Sequence, residues 1–168
     1  MMDMGPYYMT ALVNLLGGVK GLTGLTAKSF ETRTITSEPQ CGTVIPVEVP
    51  THVNGILQFV NGAVATVTTT FDVYYDRQDK LEIYGTQGTL RVPDPNCFGG
   101  SITLLRPEDG SFKEIPLAFD YQENSRGLGV ADMAKALRTG RACRADCSQT
   151  LHVLEIMTAF EKSSLEGR

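Results

Sequence analysis

The chain has 168 residues, a length that fits one domain, and 42% of them are hydrophobic, which is enough to bury a core. Its formal net charge is -4 and it has no run of lysine or arginine, so a phosphate-binding face for nucleic acid is not expected. Its apolar stretches are too short to span a membrane and no signal segment opens it, which predicts a soluble, cytoplasmic protein.

Residues that commonly bind metals or carry redox chemistry are few and spread out. Two of the four cysteines, Cys143 and Cys147, form a C-x-x-x-C pair, which differs from the two-residue spacing of zinc knuckles and redox motifs. The two histidines, His52 and His152, are too few to complete a metal set. We therefore expect inert cysteines, no metal site, and a packed or capping role for His152.

The chain opens with a predicted helix. Pro6 suits the first helical position because its missing N–H has no partner there, and Gly5 is the expected N-cap. Apolar residues from Tyr7 to Leu16 recur with a helical period, and Gly17 and Gly18 follow as a stop signal.

The middle of the chain predicts strands joined by tight turns. Alternating residues place them at Val19–Thr34, Thr51–Val60, Ala63–Tyr74, Leu81–Tyr84, Thr89–Val92, Ser101–Arg106 and Phe112–Leu117. Residues 36–46 are predicted as a loop. Asn61-Gly62 and Gly85–Gly88 are predicted as hairpin turns, and Pro93–Asn96 as a break in the sheet.

The final third changes to two predicted helices. Val130, Met133, Ala134 and Leu137 share one helical face, and Gly140 ends that helix. The second helix follows a capping-box pattern, and Gly167 is its expected end. The capping pair is Asp146 and Gln149, and the apolar line is Leu151, Leu154, Met157 and Phe160.

This order of elements predicts an α+β fold: a large, mainly antiparallel open β-sheet with helices on one face, in a single domain over residues 1–168. The uncovered face of such a sheet is either wet or shared with a partner. We therefore expect a homo-oligomer that assembles through the open sheet face. No G-x-G-x-x-G pattern joins a predicted strand to a helix, so no dinucleotide site is expected in this chain.

Asp3, Tyr7 and Tyr8 lie at the start of the first helix. A helix N-terminus stabilises a carboxylate, and Tyr7 follows about one turn later, so both side chains can face one region. A phenol acts as a general acid or base where a neighbouring cation lowers its pKa. The spacing alone favours a simpler interpretation, a helix cap followed by a core aromatic residue.

The opening segment "DMGPYYMTALVNLLGGV" resembles the start of the C-terminal domain in the Gfo/Idh/MocA family of oxidoreductases. Later segments are similar to that family in the same order. They are "VPTHVNGILQFVNGAVATVTTTFDV", "LEIYGTQGTLRVPDPNCFGG", "NSRGLGVADMAKAL" and "HVLEIMTAFEKSS".

The resemblance implies a two-domain parent enzyme. A Rossmann domain binds NAD or NADP and carries an E-K-P lysine, and a second, open-sheet domain lines the substrate pocket and forms oligomers. The second domain of the family usually begins with D-x-x-x-H, in which the histidine accepts the proton. Asp3 stands at the aspartate position and Tyr7 at the histidine position, as in the glucose-fructose oxidoreductase branch. The Rossmann segment and its lysine are expected upstream of Asp3, so this chain alone is expected to bind no cofactor and to be inactive.

Besides Tyr8, three residues are candidates for substrate binding. His52 lies within a predicted strand, where a polar side chain usually faces solvent or a neighbour. Asn124 and Arg126 precede a helix, and Arg126 can pair with a substrate or, as the alternative, form an interface or structural salt bridge.

The sequence thus predicts the substrate-side domain of a nicotinamide-dependent oxidoreductase that acts on a CH–OH group of a sugar or polyol. Two alternatives remain open. One is a catalytically silent oligomerisation module, and the other is a sugar-binding module without a redox role.

Overall fold

A computed structural model describes residues 1–75 and 79–167 of the chain. Contacts divide it into unit 1, Met1–Tyr74 with Cys147–Arg168, and unit 2, Tyr75–Asp146. The helices are α1 (Gly5–Leu16), α2 (Leu128–Thr139) and α3 (Cys147–Glu166). The strands are β1 (Val19–Ala27), β2 (Thr32–Thr34), β3 (Val44–Pro46), β4 (His52–Phe59), β5 (Val64–Thr70), β6 (Leu81–Gly85), β7 (Gly88–Val92), β8 (Ile102–Leu105) and β9 (Lys113–Ile115).

The predicted α+β class with antiparallel strands is confirmed, since every ladder between the described strands is antiparallel. These ladders form three sheets, whereas the sequence predicted one large sheet. Unit 1 contains β1-β4-β5 and the two-stranded β2-β3, and unit 2 contains β6-β7-β8-β9. The predicted hairpin turns at Asn61-Gly62 and Gly85–Gly88 connect β4 to β5 and β6 to β7.

The predicted strand Val19–Thr34 is in fact two strands, β1 and β2. Between them Lys28 Nζ donates to Glu31 Oε2 at 2.7 Å and to the Val47 carbonyl at 3.2 Å, which holds the chain in a bend. The predicted loop 36–46 contains β3, which pairs with β2. Helix α1 begins at Gly5, one residue earlier than predicted.

The core of unit 1 lies on one face of the β1-β4-β5 sheet. Along β4 the residues alternate, with Val53, Gly55, Leu57 and Phe59 buried and those between them intermediate or exposed, because successive side chains of a strand point to opposite faces. Helices α1 and α3 contact each other, and α3 packs on β1. The helices of unit 1 therefore gather on one face of its three-stranded sheet, as predicted.

An aromatic ring of α3 packs on two glycines of this sheet. Gly24 of β1 and Gly55 of β4 are paired across the ladder, and Phe160 is 1% exposed. A Cβ at Gly24 would lie 2.5 Å from Phe160 Cδ1, and a Cβ at Gly55 would lie 2.6 Å from Phe160 Cε1. The missing side chains thus provide the space that the ring occupies.

Helix α3 also covers the outer edge of β1, which pairs with β4 on one side only. Three backbone N–H groups of β1 donate to side chains of α3, so that this part of the edge is unavailable to another chain. The bonds join Val19 N to His152 Nε2 at 2.9 Å, Gly24 N to Ser163 Oγ at 3.0 Å, and Thr26 N to Ser164 Oγ at 3.0 Å. His152 is thus a partly buried residue of α3 that binds the edge of β1, rather than the core or capping residue that the sequence predicted.

The apolar line predicted for α3 is partly wrong. Leu151 and Leu154 are 57% and 47% exposed, whereas Met157 and Phe160 are buried as expected. The other buried apolar residues of α3 are Val153 and Ile156. The helix therefore turns the face centred between Met157 and Phe160 toward the sheet, where the two glycines admit the ring. Within residues 1–75 and 79–167, no helix is both long and apolar enough to cross a membrane.

A buried carboxylate, Asp72, joins three segments of unit 1. Its side chain is 8% exposed, and it accepts hydrogen bonds from Thr51 Oγ1 at 2.7 Å, Ser29 Oγ at 2.7 Å and Arg33 Nη2 at 2.5 Å. The hydrogen bonds from Thr51, then Ser29, and the charge of Arg33 lower the pKa of Asp72. The Arg33 guanidinium also lies 5.6 Å from the centre of the Phe30 ring.

Unit 2 contains a charged cluster on its four-stranded sheet. Arg91 Nε on β7 lies 2.9 Å from Glu82 Oε1 and 2.8 Å from Asp79 Oδ2. The Arg91 guanidinium stacks 3.8 Å from the centre of the Phe112 ring. This arginine therefore connects β6, β7 and the segment that leads into β9.

The four apolar residues predicted to share one face of α2 do lie on one face of the helix, but that face is exposed. Val130, Met133 and Leu137 are 71%, 54% and 80% exposed, and Ala134 is exposed as well. Ala136, which lies outside the stripe, is the residue of α2 that is buried. The helix thus departs from the usual rule that an apolar helical face packs on a core.

We predict that Gly55→Ala destabilises unit 1 by roughly 1–3 kcal/mol, the usual range for overpacking a core. The new methyl group would contact both the Thr23 carbonyl and the Phe160 ring. Urea unfolding followed by circular dichroism measures the effect. Gly21→Ala in β1 is the matched control, because no heavy atom lies within 4 Å of its added Cβ. Equal stability of the two variants would contradict this account of the packing.

We also predict that Asp72→Asn lowers the stability of unit 1 at neutral pH, with a difference from the wild type that shrinks in acid. A carboxyl whose folded pKa is lowered stabilises the fold above its unfolded pKa, about 3.9, and loses that contribution as pH falls through the folded value. Thermal unfolding between pH 7 and pH 3 measures this. The exposed Glu48→Gln is the control, and a pH-independent difference for Asp72→Asn would disagree with the prediction.

Candidate functional site

The predicted catalytic pair lies at the N-terminus of α1. Met4 is the N-cap, and Gly5 N donates to the Met1 carbonyl at 2.7 Å. Asp3 precedes the cap, and Tyr7 is the third residue of the helix. Both side chains are exposed, Tyr7 by 48%. Asp3 and Tyr7 therefore occupy the same end of one helix, where solvent or another molecule can reach them.

The simpler interpretation of this pair, a cap followed by a core aromatic residue, does not match the structure. The N-cap position belongs to Met4, whose side chain makes no capping bond, and Tyr7 is too exposed to be a core residue. The first turn of α1 contains no acidic residue. The positive end of the helix dipole therefore acts on Asp3 and on any anionic group that binds beside it.

The packing of α1 turns Tyr7 outward. Gly5, Met9 and Leu12 are the buried residues of the helix, and Tyr7 lies about 200° around the axis from Gly5 at the usual helical rotation. A Cβ at Gly5 would lie 3.1 Å from Met157 Sδ of α3. The helix can approach α3 this closely because Gly5 has no side chain, and the opposite face, with Tyr7, remains open.

Tyr8 follows on α1 and is partly buried. It has polar or ring contacts of its own within the structure, so it is held in place rather than free. Its position beside Tyr7 keeps it a candidate for the wall of a substrate site.

His52 lies on the face of the β1-β4-β5 sheet that is opposite to helices α1 and α3. It begins β4, where it pairs with Ala27 and Thr70, and it precedes the buried Val53. Because neighbouring residues of a strand point to opposite faces, His52 belongs to the face that α1 and α3 leave open. The structure therefore separates His52 from Asp3 and Tyr7.

Asn124 and Arg126 belong to unit 2. Both are exposed, and they lie in the segment before α2. The salt bridge that the sequence suggested for Arg126 is not among the ion pairs of the described residues.

A groove of about 560 Å³ lies in unit 1 between β1 and α3. Its walls include Leu22, His152, Ile156 and Lys162. Neither Asp3 nor any other predicted site residue lines it. The groove belongs to the contact between α3 and the edge strand, and it is separate from the open end of α1.

The described residues contain no group of three histidine, cysteine, aspartate or glutamate side chains arranged to hold a metal ion. All four cysteines are free thiols. Cys143 is partly buried and the other three are exposed.

The polar cluster around Asp72 was missed by sequence reasoning. Ser29 and Asp72 are 43 positions apart, and Thr51 is 21 positions from Asp72. No local motif contains these residues together, and they come into contact because β4 pairs with β1 on one side and with β5 on the other. The single weak signal in the sequence is an isolated aspartate directly after a threonine-rich strand.

Solved structures share this fold. An aldose-aldose oxidoreductase from Caulobacter crescentus complexed with glycerol matches 99% of the chain at 21% identity, with a TM-score of 0.73, over 45% of its own length. An NAD binding oxidoreductase from Klebsiella pneumoniae matches 99% at 21% identity, with a TM-score of 0.75, over 48% of its length. A levoglucosan dehydrogenase in complex with NADH and levoglucosan matches 99% at 17% identity, with a TM-score of 0.74, over 48% of its length.

Identities this low establish the fold alone, and the chain spans about half the length of these solved structures. No curated protein matches it. The sequence itself shows the family. The family model of the GFO/IDH/MocA C-terminal domain matches residues 1–91, from α1 into β7. That range is more than half of the chain and includes Asp3, Tyr7 and the β1-β4-β5 sheet. The predicted family is thereby confirmed, and the chain belongs to the GFO/IDH/MocA C-terminal domain family.

Proposed function

We propose that this chain is the substrate-side domain of a nicotinamide-dependent oxidoreductase that acts on a CH–OH group of a sugar or polyol. The observation that carries the proposal is the exposed pair Asp3 and Tyr7 at the N-terminus of α1, inside the region that matches the family. Solved structures of the same fold include an aldose-aldose oxidoreductase with glycerol and a levoglucosan dehydrogenase with NADH and levoglucosan, which supports a polyhydroxylated substrate.

The chemistry we assign to this chain concerns the substrate hydroxyl and its proton. The Tyr7 phenol, which faces away from α3, takes the proton from the hydroxyl during oxidation and returns it during reduction. Asp3 accepts a hydrogen bond from Tyr7 or from a second substrate hydroxyl, and so fixes the orientation of one of them. The helix dipole at the N-terminus of α1 stabilises negative charge as it develops on the reacting oxygen.

The cofactor of the proposed parent is NAD or NADP. When bound, its nicotinamide accepts or supplies the hydride. The chain offers no G-x-G-x-x-G turn between a strand and a helix, and we assign none of its residues to holding the dinucleotide. Its contribution is the substrate wall, the orientation of the hydroxyl, and the exclusion of water from the reacting carbon.

We predict that Tyr7→Phe in the full-length parent lowers kcat by roughly 10²–10⁴-fold, the usual contribution of a general acid–base residue, and leaves the circular dichroism spectrum unchanged. Steady-state oxidation of aldoses and polyols, followed by NADH absorbance, measures this. Tyr84→Phe is the matched control, because Tyr84 is 76% exposed on β6 and its hydroxyl donates to Glu82 Oε2 at 2.6 Å.

Near-normal turnover of the Tyr7 variant would remove Tyr7 from the mechanism. The isolated chain provides a second control. When the isolated chain is titrated with NADH and followed by fluorescence, no saturable binding is expected. Saturable binding by the chain alone would contradict the assignment of the cofactor site to another domain.

We further propose that the chain assembles into homo-oligomers through the open face of the β1-β4-β5 sheet. Leu25, Ile56 and Val64 are 70%, 45% and 64% exposed on that face. Around them lie short polar side chains, and Asn54 Nδ2 donates across the strands to Thr68 Oγ1 at 3.1 Å. A flat face of this composition, with both helices on its reverse, is suited to a second sheet. It also supports the alternative function, a catalytically silent oligomerisation module.

We predict that Ile56→Lys, which places a charge at the centre of this face, shifts the protein to a smaller species in light scattering coupled to gel filtration. Burying an unpaired lysine between two sheets is strongly unfavourable. Val49→Lys is the control, since Val49 is 66% exposed and lies outside the strands. A wild-type chain that remains monomeric at high concentration would count against the proposed interface.

A further inference from the structure

Asp3 lies in a short turn that precedes helix α1. Residues 2–4 form this turn, and the Gly5 N–H closes it by donating to the Met1 carbonyl at 2.7 Å. Because the Asp3 carboxylate is exposed, its position follows from the backbone of the turn that carries it. The contacts of Met1 and Gly5, the residues at the two ends of the turn, therefore determine where Asp3 lies.

The side chain of Met1 folds back beneath the first residue of α1. A Cβ at Gly5 would lie 2.6 Å from Met1 Sδ and 3.4 Å from Met1 Cγ. The thioether thus occupies the space that a side chain at position 5 would take. Methionine suits such a place because its flexible chain and polarizable sulfur fill irregular gaps. The two ends of the turn are therefore packed against each other.

Thr69 of β5 contacts the same sulfur. Its Oγ1 donates to Met1 Sδ at 4.0 Å, and a thioether is a weak acceptor. Thr69 pairs with the buried Val53 and follows the buried Val67 by two residues. Because alternate residues of a strand share a face, Thr69 belongs to the face of the sheet that α1 and α3 cover. Thr69 thereby connects the turn to the sheet.

Met157 of α3 contacts the turn from the helical side. Its side chain is buried, at 6% exposed, and a Cβ at Gly5 would lie 3.1 Å from Met157 Sδ. Met157 comes three residues before Phe160, whose ring packs on Gly24 and Gly55. The position of Met157 is therefore set by the contact that holds α3 on the sheet, and the turn is held between two separate elements.

We infer that Met157 and Thr69 are positioning residues for Asp3. Both act through the turn Met1–Gly5, which they hold against α3 and β5, rather than on the substrate itself. A displacement of about 1 Å at a reacting group can cost roughly 10²-fold in rate, so packing at this distance from the chemistry is enough to matter. The inference rests on the proposed function for the role of Asp3 and adds to it the residues that fix the carboxylate in place.

The first test is Met157→Ala in the full-length parent, assayed by steady-state oxidation of aldoses and polyols. We expect kcat to fall roughly ten- to a hundredfold, because the turn loses its support on α3. Met157→Leu, which keeps the apolar volume, is expected to restore most of the turnover. The control is Val153→Ala, since Val153 is 4% exposed on α3, whereas the atoms nearest to a Cβ at Gly5 belong to Met1 and Met157. Equal losses in Met157→Ala and Val153→Ala would overturn the inference.

A double-mutant cycle separates positioning from a general loss of packing. If Met157 acts through Asp3, adding Met157→Ala to Asp3→Asn lowers kcat little further, because the group that Met157 positions is already gone. Thr69→Val, which removes the hydroxyl that reaches Met1, is expected to give a smaller loss with the same non-additivity. Losses that simply multiply in the double variants would contradict a role through Asp3.

Hydrogen exchange tests the same contacts without reference to activity. The Gly5 amide, which closes the turn, is expected to exchange at least about tenfold faster in Met157→Ala and faster in Thr69→Val, but unchanged in Val153→Ala. Unchanged exchange in the first two variants would refute the positioning role. A parent that shows the expected exchange but oxidises no sugar or polyol would refute the proposed function, while the support of the turn by Met157 and Thr69 stands.

Discussion

The packing of Phe160 onto Gly24 and Gly55 is the contact on which unit 1 depends. Two facing glycines open a space on the sheet that an aromatic ring fills, and this sets the height of α3 above β1 and β4. At that height the hydroxyls of Ser163 and Ser164 reach the outer N–H groups of β1. One steric feature thus determines both the packing of the helix and the protection of the strand edge.

The position of the candidate site follows from this contact. Once α3 is fixed, the Met157 side chain packs against α1 at Gly5, where an added Cβ would lie 3.1 Å from the Met157 sulfur. The buried face of α1 then leaves Tyr7 on the outside of the helix, at an N-terminus whose dipole favours negative charge. The exposure of Tyr7, the residue proposed as the acid–base group, therefore depends on packing that begins on another helix.

Ion pairs connect several elements of unit 2. Arg91 pairs with Asp79 and Glu82, and Asp132 pairs with Arg141 and Arg144. On α2 the apolar residues Val130, Met133 and Leu137 are exposed.

The sequence by itself determined the α+β class, the hairpin turns, the ends of the helices and the family, because each depends on local periodicity, on turn residues or on an ordered set of short segments. It also placed Asp3 and Tyr7 at the start of one helix. Tertiary structure alone decided that Tyr7 is exposed, that His52 lies on the opposite face of the sheet, and that Asp72 joins segments up to 43 positions apart. Burial and long-range pairing depend on which surfaces meet, and periodicity shows that a face is apolar without showing what will cover it.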